Sequence, residues 1–171
     1  MDGYLLDTNI LSYWFDEKRH EHSDVKRHID QLPEAAPLWV SAITLGEIEY
    51  GHRCSPTPGV DSQKEFLAFV DKEAPHIANI DKHTTSHYGE LRSLLFKRFG
   101  LKSRRQKWPE ELADPTTAKQ LGIQENDIWI AAQALQFNLV LVSNDRMMQH
   151  LTQVASDLRV KNWTIPGQTA D

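Results

Sequence analysis

The chain has 171 residues, a formal net charge of −5 and a single cysteine, Cys54. This length suits one domain that buries its own core, and one cysteine excludes an intramolecular disulfide. The net acidity argues against a general nucleic-acid coat protein, and no apolar run approaches the roughly 20 residues that cross a bilayer. We therefore expect a single domain over residues 1–171, with no membrane span, in a reducing cytoplasm, because the N-terminus has no feature typical of an export signal.

The chain opens with a strand that ends in an acid. Residues 4–6 are apolar and predict a short buried strand, Asp7 follows it, and residues 9–15 predict a short helix. Ligands of open α/β sheets bind just beyond the carboxyl ends of the parallel strands, so Asp7 lies where chemistry is usually done. A helix over residues 24–32 and a second strand over residues 38–40 follow.

The middle of the chain alternates helices with one further strand. Thr44 and Glu47 have the spacing of a capping box, which predicts that the next helix starts at Thr44. If so, Glu47 needs no role beyond capping. The elements predicted next are an amphipathic helix around residues 66–70, a strand at residues 76–80 and a long amphipathic helix at residues 82–99 that Asp81 caps.

The last part of the chain begins with a segment that lacks periodicity. Residues 100–125 contain Pro109 and Pro115 and predict a long irregular or inserted segment, which is uncommon in a compact domain unless it serves a function. The remaining elements are predicted as a helix at residues 127–137 that Asn138 ends, a doubly buried strand at residues 139–142, a short helix at residues 145–151 and a last strand at residues 158–163. This alternation predicts an α/β fold with a mainly parallel central sheet and helices on both faces.

Four acids follow strand ends or open helices in this scheme. Taken alone, each of them is more often a helix cap than a ligand. Capping needs no more than a side-chain oxygen, however, and a Ser, Thr or Asn stands beside each acid. Because all four positions hold a carboxylate, we predict that the acids form one site. The acids are Asp7, Glu47, Asp127 and Asp145, and the neighbouring residues that could cap are Thr8, Asn9, Thr44, Asn126, Ser143 and Asn144.

A cluster of four carboxylates requires compensation. Two unit charges about 5 Å apart repel by roughly 3 kcal/mol at an effective dielectric constant of about 20. Helix N-termini offset part of this repulsion, and the rest requires shared protons or cations. Oxygen ligands without Cys or His select hard ions, so Mg²⁺ or Mn²⁺ fits such a site and Zn²⁺ does not. These ions usually bind substrate phosphates, which indicates phosphoryl chemistry.

A basic tract lies between Lys97 and Lys107, where six Lys and Arg residues occur without an acid. Phosphate contacts made by Lys and Arg are independent of base sequence and sensitive to salt. We predict that this tract holds a nucleic acid on which the carboxylates act, while a solvated helix end is the alternative. The nucleic-acid-binding residues predicted are Lys102, Arg104, Arg105 and Lys107.

Four short segments carry a family resemblance. They are Leu-Leu-Asp-Thr-Asn at 5–9, Thr-Leu-Gly-Glu-Ile-Glu-Tyr-Gly at 44–51, Asn-Asp-Ile-Trp-Ile-Ala-Ala at 126–132 and Ser-Asn-Asp at 143–145. In this order they resemble the motifs of PIN-domain ribonucleases, particularly the VapC toxins of bacterial toxin–antitoxin pairs. The resemblance spans roughly residues 3–163 and departs at residues 100–125, which are longer than the brief link of most such toxins.

The resemblance implies a PIN-like three-layer sandwich and metal-assisted hydrolysis of RNA phosphodiester bonds. It also implies a cognate antitoxin that blocks the site, and a homodimer. By this resemblance the metal ligands and catalytic acids are Asp7, Glu47, Asp127 and Asp145, supported by Thr8 and Ser143, to which we add Asn144 as the neighbour of Ser143.

Three other functions compete with this prediction. A haloacid-dehalogenase-type phosphatase also opens with a strand and an Asp, but its motif has a second Asp two residues later, where this chain has Asn9. A dinucleotide-binding fold would need G-x-G-x-x-G after the first strand, and the sequence lacks it. The remaining alternative is a non-catalytic PIN-like module that binds RNA or protein and keeps its acids as caps. Carboxylates at all four positions favour the nuclease.

Overall fold

The computed structural model describes residues 1–55, 60–100 and 108–165 of the chain. Within these ranges, five strands form one sheet in the order β3-β2-β1-β4-β5, and every neighbouring pair is parallel. The strands are β1 (Tyr4–Leu6), β2 (Leu38–Ser41), β3 (His76–Ala78), β4 (Val140–Val142) and β5 (Val160–Lys161). The predicted parallel sheet is therefore confirmed. Strands β3, β4 and β5 are shorter than the sequence pattern indicated, whereas β2 is one residue longer.

Helices connect the strands, as expected for parallel neighbours. Those in the described ranges are α1 (Thr8–Phe15), α2 (His22–Asp30), α3 (Ala42–Arg53), α4 (Val60–Glu73), α5 (Lys82–Phe99), α6 (Glu125–Gln136) and α7 (Met148–Val154). A 3₁₀ turn over Pro109–Glu111 precedes α6. None of these described helices is both long and apolar enough to cross a membrane.

Two hydrophobic clusters lie on opposite faces of the sheet. Successive residues of a strand point to opposite faces, and Leu5 accordingly enters one cluster while Leu6 enters the other. The cluster that contains Leu5 is built with α5, α6 and α7, whereas the cluster that contains Leu6 is built with α1, α2 and α4. The three-layer arrangement with helices on both faces is thus confirmed.

The chain reverses its direction across the sheet at β1. It runs outward from β1 to β2 and β3, and then returns to place β4 on the other side of β1. Such a reversal leaves a crevice at the carboxyl ends of the two strands that flank it, which is where open α/β sheets bind ligands. The crevice between β1 and β4 receives Asp7, whose N–H donates to the Val142 carbonyl (3.0 Å).

Helix α3 begins earlier than the sequence predicted. Its N-cap is Ser41, whose hydroxyl accepts the Ile43 N–H (2.9 Å). Thr44 is instead fully buried inside the first turn, so the capping box with Glu47 is wrong. The last residue of β2 already supplies a capping oxygen, and the helix can therefore start directly at the strand end. Glu47 consequently lies in the second turn of α3, where no helix terminus explains it.

Helix α6 is fixed to the sheet through a buried glutamine. The Gln133 side chain accepts from the Ser41 hydroxyl (2.6 Å) and donates to the Ala78 carbonyl (2.7 Å). Gln133 and Ser41 are both fully buried. These bonds connect α6 to the carboxyl ends of β2 and β3 and thereby set the position of the helix that carries Asp127.

Of the predicted irregular segment at residues 100–125, the structure describes residue 100 and residues 108–125. This segment contains the 3₁₀ turn and an isolated antiparallel bridge between Ala113 and Gln120. Leu112, Leu121 and Ile123 from this segment are buried in the cluster around α5 and α6. The described part of this segment therefore forms part of the core.

Candidate active site

Asp7 connects the two central strands of the sheet. It is the N-cap of α1, and one carboxylate oxygen accepts the Thr8 N–H (2.7 Å). The other oxygen accepts the hydroxyl of Ser143 (2.8 Å), the first residue after β4. Asp7 is 8% exposed, so this carboxylate is nearly removed from water. Asp7 thus caps a helix and also lies in the crevice between β1 and β4.

Glu47 joins three helices. One of its oxygens accepts the Thr8 hydroxyl of α1 (2.6 Å), and the other accepts the Asn126 side-chain amide of α6 (2.9 Å). Both carboxylate oxygens are therefore held in place by neutral donors. Thr8, a predicted supporting residue, thus contacts Glu47 from α1, and Asn126, which the sequence indicated only as a possible cap, contacts it from α6. Its position directly before Asp127 in the sequence could have indicated that Asn126 lies near the acids.

Asp127 lies in the first turn of α6, whose N-cap is Gln124. The prediction that Asn126 or Asp127 caps this helix is therefore wrong, because α6 starts at Glu125. Asp127 is the third residue of the helix, and its carboxylate reaches back to accept the N–H of the cap residue Gln124 (2.7 Å). The pKa of Asp127 is raised to about 7, mainly by burial and against that hydrogen bond, and the charges of Asp7, Asp145 and Glu47 contribute to the same increase. Asp7, Glu47 and Asp145 therefore all lie close enough to Asp127 for their charges to oppose its ionisation.

Asp145 and Asn144 follow Ser143 on the loop after β4. The Asp145 N–H donates to the Ser143 hydroxyl (3.1 Å), and the exposed Asp145 carboxylate lies within electrostatic range of Asp7 and Asp127. Helix α7 begins only at Met148, so Asp145 is not its N-cap. The Asn144 amide donates to the Tyr13 hydroxyl (3.2 Å) and is connected to the acids through its backbone.

Burial and charge act in the same direction on Asp7. Desolvation raises the pKa of Asp7, against the hydrogen bonds from Ser143 and Thr8, and the charges of Glu47 and Asp145 add to the increase. Buried carboxylates that repel one another bind a proton or a cation more readily than isolated ones. The site therefore favours positive charge.

The donor set suits a hard divalent cation. Its ligating groups would be carboxylate oxygens, which Mg²⁺ and Mn²⁺ prefer. Within the part of the chain that the structure describes, no three His, Cys, Asp or Glu side chains are already arranged to hold one ion. A Mg²⁺ site does not require three, because this ion usually keeps several waters and takes one or two carboxylates from the protein. The four carboxylates are thus the type of ligand that Mg²⁺ or Mn²⁺ requires.

The sequence profile of the PIN domain family matches residues 4–154. The chain belongs to the PIN-domain family. The matched range spans the four motifs that carried the resemblance, and the predicted family is therefore confirmed.

Curated PIN-domain relatives and solved structures cover the chain almost completely. Ribonuclease VapC2 of Haemophilus influenzae is 29% identical over 163 residues, which is 94% of this chain and 97% of the relative. The structure of VapBC2 from Rickettsia felis, bound to a promoter DNA fragment, matches with a TM-score of 0.67 and 23% identity, covering 94% of this chain and 98% of that chain. VapBC-1 from nontypeable Haemophilus influenzae also matches with a TM-score of 0.67 and 23% identity, covering 95% and 98%. At these identities the structural matches establish the fold.

The predicted nucleic-acid-binding residues of this PIN domain lie outside the described residues. They are Lys102, Arg104, Arg105 and Lys107. Arg92 of α5, which precedes the tract, is half-buried and pairs with Glu125 of α6 (3.0 Å). The role of the tract remains a prediction.

Asn126 should be a positioning residue for Glu47. Because Glu47 is a predicted metal ligand, we expect Asn126→Ala to lower the rate of RNA cleavage about 10- to 100-fold, the usual cost of losing a partner that orients such a ligand. The melting temperature should change little, since Asn126 is half-buried and contacts Glu47 from the first turn of α6. Initial cleavage rates and thermal melts measure both effects.

The control for this variant is Asn162→Ala, which removes a side-chain amide that accepts from Thr164. Its cleavage rate should match that of the unmodified chain. Equal rates for the Asn126 and Asn162 variants would show that Glu47 needs no partner at this oxygen.

The stability of the metal-free PIN domain should rise as the pH falls from 8 to about 5.5. The pKa of Asp127 is about 7 in the folded state and ordinarily 3.8, so the folded state binds the proton more tightly. This contribution is fully present below pH 3.8 and is lost as the pH rises through about 7. Thermal melts in EDTA should therefore show a melting temperature several degrees higher at pH 5.5 than at pH 8.

Asp127→Asn is the matched variant for this pH series. An amide oxygen can still accept the Gln124 N–H, but the side chain no longer titrates. We expect the variant to lose most of the change between pH 5.5 and pH 8. A wild-type melting temperature that does not change over this range would mean that Asp127 is not desolvated.

Proposed function

We propose that this PIN domain is a metal-dependent endoribonuclease and the toxin of a toxin–antitoxin pair. The observation that carries the proposal is that Asp7, Glu47 and Asp145 all lie within electrostatic range of Asp127, and that three of these four carboxylates are buried or half-buried. The curated relatives are ribonucleases by name, and the matching structures are named as VapBC complexes. These names support the substrate class and the partner proposed here.

The proposed metal ligands are the four acids, with Asp7 and Asp127 as the direct ligands and Glu47 and Asp145 binding directly or through water. Bound Mg²⁺ or Mn²⁺ supplies charge neutralisation at the phosphodiester and makes water a stronger acid. The chain's own contribution is orientation. Thr8 and Asn126 hold the two oxygens of Glu47, and Ser143 holds one oxygen of Asp7.

Orientation of this kind matters because the acids repel one another and would turn apart if no hydrogen bonds held them. Each hydrogen bond from a neutral donor fixes one carboxylate without adding a competing cation. These neutral donors leave the negative charge of the carboxylates uncompensated, so it remains available to attract a metal ion. Helix N-termini at Asp7 and Asp127 add a smaller favourable field.

The partners proposed for this chain are a cognate antitoxin that covers the acids and a second copy of the chain in a homodimer. We place its activity in the cytoplasm, where cellular RNA and a co-expressed antitoxin are both present. These proposals rest on the family and on the names of the relatives, which include antitoxin–toxin complexes.

The purified chain tests the proposed activity directly. It would be incubated with single-stranded RNA and with DNA of the same sequence, each with Mg²⁺, Mn²⁺ or EDTA. We expect internal cleavage of RNA that requires metal. RNA binding without cleavage under every condition would favour the non-catalytic binding module, and cleavage that EDTA does not affect would contradict the metal assignment.

The basic tract should contribute RNA affinity rather than chemistry. We expect Arg104→Ala, Arg105→Ala and Lys107→Ala in one protein to weaken binding of every RNA tested. If each residue contacts one phosphate of a single strand, the slope of log K against log salt should flatten by about 2. The turnover of saturating substrate should remain nearly unchanged.

The control for the tract is a triple variant with the same change in charge, made of exposed lysines elsewhere. It contains Lys26→Ala, Lys72→Ala and Lys119→Ala. If both triple variants bind RNA equally and with the same salt slope, the tract is a solvated helix end.

A further inference from the structure

A cavity of about 610 Å³ opens beside the acids, between α1, α3 and α4. Thr8 and Glu47, which are hydrogen-bonded to each other, form part of its wall. The carboxylate site and the cavity are therefore continuous. Its volume lies within the roughly 300–1,000 Å³ typical of small-molecule sites.

The described lining of this cavity combines an aromatic floor with a polar rim. Phe66 is buried and meets Phe15 edge to face, with ring centroids 4.9 Å apart. Arg19 and His52 supply basic groups, and Asp16, the other acid besides Glu47 in the described lining, lies 3.7 Å from the Arg19 guanidinium. The negative charge of Asp16 is therefore partly offset at the rim.

We propose that this cavity is a nucleotide subsite that holds the RNA residue next to the scissile phosphate. The inference rests on the proposed function and adds to it a binding site for the substrate. Glu47 is a proposed metal ligand and Thr8 is bonded to it, so a nucleotide beside a phosphate at the metal would have the opening of the cavity within reach. Aromatic surfaces accept any base, while Arg19 and His52 can contact a phosphate or ribose at the rim.

The competing occupant is a segment of a protein partner. The continuity with Glu47 favours RNA, because the substrate must occupy the space beside the reacting phosphate in every turnover. If RNA fills the cavity, blocking it should weaken RNA binding while the carboxylates stay competent. Substrates too small to enter the cavity should not be affected.

Gly51 offers a way to fill the cavity without touching the acids. It lies on α3 and lines the cavity, and a Cβ placed there would meet no atom within 4 Å. Gly51→Phe should therefore fold and place a ring in the space that we assign to the nucleotide. Gly89→Phe on α5 is the matched control, because Gly89 also has no atom within 4 Å of its Cβ position and belongs to the opposite face of the sheet.

The experiment measures RNA cleavage and the hydrolysis of bis(p-nitrophenyl) phosphate, a small phosphodiester, at saturating Mn²⁺. We expect Gly51→Phe to raise KM for RNA at least tenfold and to leave turnover of the small diester at the wild-type level. Gly89→Phe should change neither value. Gly51→Ala, which adds a single methyl group, should keep the wild-type KM.

Ser62→Trp fills the same cavity from α4 and provides a second test in case Gly51→Phe does not fold. It should raise KM for RNA in the same way, and thermal melts show whether each variant is folded. An unchanged KM in a folded Gly51→Phe or Ser62→Trp protein would overturn the subsite. If the wild-type chain cleaved neither RNA nor the small diester, the proposed function itself would be wrong. Failure of the subsite alone would instead leave wild-type cleavage intact and the KM of the variants unchanged.

Discussion

Asp7→Asn should lower the rate of RNA cleavage on the order of 10³-fold, a loss typical of removing a charged group from the reacting centre. The change removes one negative charge from a carboxylate that is 8% exposed. The new amide oxygen can still accept the Thr8 N–H, but its NH₂ group cannot accept the Ser143 hydroxyl. Asn is as good an N-cap as Asp, so α1 should remain in place.

The stability of the Asp7→Asn protein distinguishes a ligand from a cap. Burial and neighbouring carboxylates raise the pKa of Asp7, which means that its ionised form is unfavourable in the folded state. Near neutral pH the variant should therefore melt at the wild-type temperature or above it. Cleavage assays and thermal melts on the same preparation measure both properties.

Asp81→Asn is the matched control for this substitution. Asp81 is also an aspartate N-cap, and it accepts the N–H groups of His83 and Thr84 at the start of α5. The Asp81→Asn substitution makes the same chemical change at a helix terminus outside the acid site, so this variant should cleave RNA at the wild-type rate. If Asp7→Asn retained full activity, the metal-site assignment would be wrong.

Mg²⁺ or Mn²⁺ should raise the melting temperature of the chain by about 5–10 °C at pH 8, at a concentration about 100 times Kd. The physical reason is mass action, because a ligand that binds only the folded state stabilises it by about 2.7 kcal/mol at that ratio. The ion would also relieve the repulsion that Asp7, Glu47 and Asp145 exert on Asp127. Thermal melts with and without EDTA measure the shift.

The effect of the metal should shrink as the pH falls. Protons and metal ions compete for the same carboxylates, and the pKa of Asp127 is about 7 in the absence of metal. At pH 5.5 the added ion should therefore raise the melting temperature much less than at pH 8. The Asp7→Asn protein should lose most of the shift at both pH values. A melting temperature independent of metal at pH 8 would mean that the acids do not act as one site.

Capping and metal binding are not exclusive roles for these acids. Asp7 and Asp127 both accept N–H groups at helix starts, as their sequence context indicated. A carboxylate has about four lone-pair positions on its two oxygens, so one hydrogen bond leaves capacity for an ion. Helix termini then serve as rigid supports that bring carboxylates from different parts of the sequence to one crevice.

The sequence by itself determined the order of elements and the parallel sheet. Apolar runs at β1 and β4 predicted buried strands, because strands covered on both faces need no polar side. Local signals with a direct physical cause also succeeded. Asp81 caps α5, and Asn138 follows α6 with a φ of 52°, a left-handed conformation that asparagine tolerates.

The tertiary structure decided which side chains hold the acids. The sequence placed Glu47 in a capping box with Thr44, but Ser41 ends β2 and caps α3 three residues earlier. Glu47 was thereby released from the helix terminus and bonds to Thr8 and Asn126. A local pattern cannot reveal this outcome, because the two partners are 39 and 79 residues away along the chain and meet Glu47 only after the sheet has formed.

The link between Asp7 and Ser143 has the same origin. These residues are 136 positions apart, and they meet because β1 pairs with β4 rather than lying at the edge of the sheet. Periodicity predicts that a strand is buried but carries no information about its neighbour, since pairing depends on how the connecting helices pack. The sequence therefore determined which residues could carry the chemistry, and the strand order determined that they lie together.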